Sequence, residues 1–411
     1  MCYGFEIMRN LPVMVKEKLR RKTIRALKLG GSETTQTIFW INSRDGLLKA
    51  TGALGSSALM AVDLEADSMY HFTEKICLIQ SACEKGCYII DPLAIDDISP
   101  LGEIFADPRI TKIFHGADYD VRSLYRDFSF TVNNLFDTQE ACRFLGYSRT
   151  GLGSLVKRHF NIILDKKFQK KDWSVRPLAD EMIKYAANDV LYLIPLYHIL
   201  RKELIKKKRL SWAVEAGRDI SKVRPDTAQN GQKPLFLRFK GAGRLDRLSL
   251  AVLENLLQFR MEAARKKNRP PFKIMGNKTL LDIALYKPKS LKQLEISCRL
   301  SPLQVRMYGE SILACVSHAL KTDPKDLPCY PKNRTRKISG PALERKKRLK
   351  LWRDETARKM EIEPCLILNK DAISALAVSN PKSIEQLNGM EGLKDWQKAV
   401  FGQKIIDILA G

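Results

Sequence analysis

The C-terminal part of this chain repeats itself. Moved along by 93 residues, Leu256-Leu257-Gln258-Phe259-Arg260 falls on Leu349-Lys350-Leu351-Trp352-Arg353, and Pro271 falls on Pro364. The same shift lays Lys287-Pro288-Lys289-Ser290-Leu291-Lys292-Gln293-Leu294 on Asn380-Pro381-Lys382-Ser383-Ile384-Glu385-Gln386-Leu387, and Tyr308-Gly309 on Phe401-Gly402. A register held without a gap over so many positions marks a duplicated small domain, and the spacing of its apolar residues is helical. The stretch 223–234, rich in Pro, Asp, Gln, Asn and Gly, reads as a linker, as does the Pro- and Lys/Arg-rich stretch 323–340. The expected division is a first helical copy at 241–322 after a linker at 223–240, then a linker at 323–340 and a second copy at 341–411. A chain of 411 residues is too long for one ordinary core, so two or three domains are expected.

Upstream the pattern changes. Thr37 to Asn42 reads as a strand, Ser43 to Leu54 as a helix with a Ser cap, and Leu59 to Glu65 as a buried strand. Lys75 to Ala82 and Gly86 to Asp91 form a hairpin around Glu84-Lys85-Gly86. Lys112 to His115 is a strand running into a helix over 118–128, and a short strand ends at Phe136-Asp137-Thr138. Helices follow over 139–145 and 152–160, with a long one from about Leu178 to Lys208. Strands with helices between and after them predict an α/β domain with a mixed sheet over 36–222. Residues 1–35 form a basic extension, expected to be solvated or loosely helical, with Met8 and Met14 as alternative starts.

The strand Met60-Ala61-Val62-Asp63-Leu64-Glu65 ends on two carboxylates at i and i+2, which project from the same face. Two like charges that close repel unless a cation lies between them, and hard oxygen ligands suit Mg²⁺ or Mn²⁺. Further acids fall where one site can collect them. In His115-Gly116-Ala117-Asp118-Tyr119-Asp120 a strand gives way to a helix; both Asp118 and Asp120 are candidates, Asp118 also reading as the helix N-cap. In Tyr185-Ala186-Ala187-Asn188-Asp189 the tyrosine and the aspartate stand four apart on one helix face. A carboxylate among Val190, Leu191 and Leu193 is costly without a cation.

Lys+Arg 71 against Asp+Glu 46 leaves a net charge of +25, with a pI near 9.7. That surplus favours a polyanionic partner, nucleic acid before membrane. The runs 206–209, 265–267 and 345–348 are basic helix faces suited to an RNA backbone. Nine cysteines without a regular framework, among them Cys83 and Cys87 with no second close pair, read as reduced residues of a cytoplasmic protein rather than a zinc site. No apolar stretch reaches membrane-spanning length, and no signal-peptide core is present.

Four blocks carry a resemblance: Lys112-Ile113-Phe114-His115-Gly116-Ala117-Asp118-Tyr119-Asp120, Phe136-Asp137-Thr138-Gln139, Gln169-Lys170-Lys171-Asp172-Trp173-Ser174-Val175-Arg176-Pro177-Leu178 and Tyr185-Ala186-Ala187-Asn188-Asp189. With the strand-end pair, they resemble the motifs of the DEDD 3′–5′ exonucleases in their tyrosine-bearing subclass, and within it the bacterial ribonuclease D family. The duplicated unit resembles the HRDC domain, a nucleic-acid-binding module. The resemblance implies a ribonuclease H-like mixed-sheet exonuclease domain followed by two small all-α HRDC domains. It implies Asp63, Glu65, Asp120 and Asp189 as ligands of two divalent ions, Mg²⁺ or Mn²⁺, and Tyr185 as the residue that orients the attacking water; the distance from His115 favours Asp120 over Asp118. It implies RNA as substrate, tRNA precursors foremost, with no membrane and no obligate protein partner. Candidate substrate contacts are Leu64, His115, Trp173 and Arg176. For Trp173 and Arg176, base stacking and phosphate contact stand beside ordinary packing and a solvated cation. Leu64 and Ala66 depart from the Thr and Phe common in relatives. The rival readings are a DNA exonuclease and a non-catalytic RNA-binding protein.

Overall fold

The computed structural model describes the backbone of residues 21–29 and 32–35 and the complete residues 36–225, 233–331 and 339–411. The first twenty residues of the basic extension and the middles of both linkers lie outside the described residues. The described chain forms two units. One contains the sheet domain together with the second helical copy; the other contains the first helical copy and the segment Asp67–Lys75.

The sheet has seven strands: β1 (Arg21–Leu29), β2 (Ser32–Ile41), β3 (Leu59–Ala66), β4 (Ile76–Cys83), β5 (Gly86–Ile90), β6 (Thr111–Phe114) and β7 (Leu135–Asp137). Their order is β1-β2-β5-β4-β3-β6-β7. The β1/β2, β3/β4 and β4/β5 pairs are antiparallel, and β2/β5, β3/β6 and β6/β7 are parallel, which is the mixed sheet expected. The expectation of a solvated or loosely helical extension is corrected over 21–29. Without β1, strand β2 would be a bare edge with a row of unpaired N–H and C=O groups, and β1 satisfies them.

The alternation of side chains along β3 and β4 sorts the core into two layers. Met60, Val62, Leu64, Ile76 and Ile79 pack under α1 (Arg44–Gly55), α2 (Ser99–Ala106) and α3 (Asp118–Phe128). The face bearing Ala61, Leu78 and Ala82 packs against α4 (Thr138–Leu145), α5 (Leu152–Phe160), α6 (Asp180–Leu191), α7 (Leu193–Lys206) and α8 (Leu210–Ile220). The single long helix expected over 178–208 is therefore two, broken at Tyr192. Pro195 is the cause: it has no N–H to give Leu191, and its ring collides with that carbonyl. Helix α8 lies flush on the sheet edge, since a Cβ on Gly217 would stand 2.0 Å from the Leu135 carbonyl oxygen.

The two helical copies match helix for helix. The first has α9 (Arg247–Lys266), α10 (Pro271–Ile274), α11 (Asn277–Tyr286), α12 (Leu291–Ser297) and α13 (Pro302–Leu320). The second has α14 (Gly340–Met360), α15 (Pro364–Ile367), α16 (Lys370–Ser379), α17 (Ile384–Asn388) and α18 (Asp395–Ala410), each starting 93 residues after its counterpart. Even the left-handed residues recur in register: Asn268 with Glu361, Lys287 with Asn380, Arg299 with Gly392. Gly309 and Gly402 let the short fourth helix approach the fifth, because a Cβ on Gly309 would meet Leu291 Cδ2 at 2.5 Å.

The second copy shares its core with the sheet domain. Trp212 of α8 stacks on Trp396 at 4.0 Å, and Phe144 packs edge-on against both. Buried Glu215 accepts hydrogen bonds from the backbone N–H of Asp395 (2.7 Å) and Trp396 (2.9 Å), satisfying the start of α18. Buried Arg209 donates to the carbonyls of Phe144 and Met360. Trp212→Ala is expected to remove about 3–5 kcal/mol of stability, read as a lower urea midpoint. Leu351→Ala, at a site 65% exposed on the same copy, should leave the midpoint unchanged.

Candidate active site

Strand β6 stops at Phe114, and its last partner on β3 is Ala61. Beyond that point β3 continues alone on this side, so Asp63 and Glu65 stand past the C-terminal end of the parallel strands, where α/β sheets collect ligands. The chain turns there through Gly116, whose φ of +79° favours glycine, and enters α3. Asp137 fixes this turn, accepting from the N–H of Gly116 (3.1 Å) and Ala117 (2.7 Å) while capping α4 through Gln139 N (2.8 Å). Asp118 does not cap α3, contrary to one reading of the sequence. It is exposed and paired with Arg122, so the choice between the two aspartates falls to Asp120, which is buried at 8% exposure.

Helix α6 lies on the same face of β3 and β4 and brings Tyr185 and Asp189 to a cavity of about 460 Å³ lined also by Asp63, Leu64, Glu65 and His115. Electrostatics ties the acids together. Burial lifts Asp63 to about 7. Burial, followed by Asp63, Asp189 and Asp120, lifts Glu65 to about 10. Burial and Asp63 lift Asp189 to about 8, and burial, Asp63 and Asp137 hold Asp120 well above the usual carboxylate range. Tyr185 is pushed above its ordinary value by burial and then by Asp189, Glu65 and Asp63.

Among the described residues none of the four acids has a cationic side chain as partner. Nor are three His, Cys, Asp or Glu side chains among them drawn together tightly enough to hold an ion as they stand. Four uncompensated hard-oxygen donors, Asp120 buried and the other three half-buried, are the chemistry that fits divalent cations.

The other candidates divide. Leu64 and His115 line the cavity. Thr138 Oγ1 donates its one proton to the Phe114 carbonyl, so His115 donates to it through Nδ1 at 2.9 Å, and Nε2 is buried without a partner. Trp173 and Arg176 are not available to substrate as arranged, which corrects the expectation of stacking and phosphate contact. Trp173 is buried beside the Tyr185 ring at 6.0 Å. Arg176 forms a two-point ion pair with buried Asp91 at 2.6 and 2.7 Å and donates to Cys77 O. They hold the loop that seats Tyr185.

Sequence reasoning missed Gln80 and Gln139. Gln80 sits opposite Asp63 in the antiparallel register, hence on the same face, and is fully buried with both amide atoms unpartnered. A polar residue inside the apolar strand Ile76–Cys83 was its one signal. Gln139 lines the cavity against the Gly116 turn.

The profile of a 3′–5′ exonuclease family matches residues 38–205, and that of the HRDC domain matches 249–316 and 342–409. Fold and site together define a 3′–5′ exonuclease carrying a pair of HRDC domains. Ribonuclease D of Haemophilus influenzae is 28% identical over 380 residues, spanning 90% of this chain and 92% of its own. Ribonuclease D of Desulfotalea psychrophila is 32% identical over 274 residues, 66% of this chain and 73% of the relative. The crystal structure of Escherichia coli RNase D superposes with a TM-score of 0.66 at 25% identity, covering 90% of this chain and 98% of that one. The chain belongs to the ribonuclease D family and is a 3′–5′ exoribonuclease, a hydrolase of a family that generally depends on divalent metal. No helix of the described residues is long and apolar enough to cross a membrane.

The raised carboxyls set a pH dependence. Unfolded, these acids ionise near about 4; folded, they hold protons until about 7 at Asp63, 8 at Asp189 and 10 at Glu65. The native state therefore binds more protons, and stability present below the unfolded values is lost as pH rises through the folded ones. In chelator, the calorimetric Tm should fall between about pH 5 and 9, and Mg²⁺ should restore it most at the alkaline end. Asp63→Asn should flatten the slope; a Tm that rises with pH in chelator would contradict the electrostatics described.

Proposed function

We propose that the chain trims the 3′ ends of structured RNA, tRNA precursors foremost, by two-ion hydrolysis that releases 5′-mononucleotides. What carries this reading is the set of four carboxylates, one buried and three half-buried, that lack a counter-cation among the described residues and raise one another's proton affinity beside Tyr185. In support, the Escherichia coli relative is described as involved in structured RNA processing, and the net charge of +25 suits a polyanion. The proposed division of labour gives catalysis to 36–222 and RNA holding to 241–322. Cysteines without a disulfide among the described residues support a cytoplasmic location.

Asp63, Glu65, Asp120 and Asp189 would hold the two ions, Mg²⁺ or Mn²⁺. When bound, the pair supplies an activated water at neutral pH and charge neutralisation for the departing 3′ oxygen. Everything else falls to the chain's own groups. The Tyr185 hydroxyl, protonated at neutral pH as an ordinary phenol is, would orient the attacking water by hydrogen bonding and would not be the group that accepts the proton. Its ring is fixed between Phe168 at 5.9 Å and Trp173 at 6.0 Å, which limits the hydroxyl to one arc. Leu64 and His115 form part of the cavity wall against which a terminal nucleotide would rest.

End-labelled RNA incubated with Mg²⁺ should shorten from its 3′ end, and chelator should stop it. Asp63→Ala should lower kcat by about a hundred- to a thousandfold or more, with the Kd for RNA little changed. Tyr185→Phe should lower kcat by about a hundredfold with KM unchanged. RNA bound but never shortened under any divalent ion would refute the catalytic reading.

A further inference from the structure

A second concavity opens on the same unit, at the other end of β6 and β7. It measures about 560 Å³ and lies between α7, α8 and the sheet edge. Arg201, Arg218, Lys222 and Arg224 line it together with Tyr197 and Asn133, and its lining contains no acidic residue. Arg224 is committed, donating to the Ser221 and Val223 carbonyls with its guanidinium over the Tyr125 ring. The other three cations are exposed, and among the described residues none forms an ion pair. Like charges gathered around one cleft without counter-charge attract an anion.

The placement says which anion. Leu193 of α7 lines the catalytic cavity, whereas Tyr197 and Arg201, one and two turns further along the same face, line the cationic cleft. The two sites are thus about 12 Å apart along one helix, a distance a few nucleotides span. Tyr197 is half-buried and held edge-on by Phe136 at 4.8 Å, a fixed aromatic face beside the cations. Cations that follow a backbone together with an aromatic face on which a base stacks are the elements of a single-strand nucleic-acid groove. The close seating of Gly217 on Leu135 holds the α8 side of the cleft against the sheet.

We propose that this cleft is an exosite for the phosphates of the RNA strand upstream of the 3′ end being cleaved, with Arg201, Arg218 and Lys222 as its contacts. The proposal rests on the RNA-trimming reading above. It accounts for how the enzyme keeps hold of a strand whose end is repeatedly removed.

The test uses the full chain with Arg201→Ala, Arg218→Ala and Lys222→Ala combined, all at exposed positions. KM for a 20-nucleotide single strand should rise on the order of tenfold while kcat is unchanged, and both constants for a dinucleotide should stay as they were. In chelator, fluorescence anisotropy should show weaker binding of the 20-mer and a salt slope shallower by about two, the value for three lost phosphate contacts on a single strand. Equal losses on long and short substrates, or none on either, overturn the proposal. So does calorimetry in which inorganic phosphate or 5′-AMP loses as much affinity as the 20-mer, which would mark a small-anion site. Failure of the unaltered chain to cleave RNA strikes the catalytic reading instead, and the chelator binding still decides the cleft.

Discussion

Four carboxylates that repel one another, gathered where water screens them poorly, are the constraint around which this molecule is arranged. An ionised carboxyl in an apolar setting is among the costliest groups a fold can keep. Here the cost is multiplied, because Asp63 raises the proton affinity of the other three acids and Asp189 and Asp120 raise that of Glu65. The surrounding structure must over-determine their positions. The end of β6, the glycine turn pinned by Asp137 and the packing of α6 across β3 and β4 each fix one side of the cluster.

The neighbourhood shows how such a site is braced. Arg176 ties the loop before α6 to Asp91 at the end of β5 and to a β4 carbonyl, so the helix carrying Tyr185 and Asp189 is registered on the sheet. Trp173 fills the space behind the tyrosine ring. On the sheet itself, the orphaned amide of Gln80 faces Asp63 from the neighbouring strand. A buried polar group left without a partner is expensive, and it marks a place where another polar species completes the arrangement.

Much of this was legible in the chain. Asp63 and Glu65 announced themselves because strand periodicity puts i and i+2 on one face, and Tyr185 with Asp189 because helical periodicity does the same at i and i+4. The duplicated helical unit was visible for a different reason: identical folds need identical apolar positions, and the helices start in the same register. What stayed hidden depends on partners distant in sequence. Arg176 and Asp91 are 85 residues apart, and nothing local says they meet. Gln80 required the strand register. The break at Tyr192 was signalled by Pro195, yet the apolar period runs through it, and β1 forms because β2 leaves an edge open, a property of the sheet and not of the segment.

The joint at Trp212, Glu215 and Arg209 bears on how the chain tolerates shortening. The two helical copies began as equals, but the second is wedded to the nuclease by an indole pair, a cap on its last helix and a buried guanidinium. An abridged enzyme ending before α14 would bare Phe144 and Trp212 to solvent and strand the charges of Arg209 and Glu215, inviting aggregation. The duplicated module has thereby become, in one of its copies, part of the enzyme's skeleton.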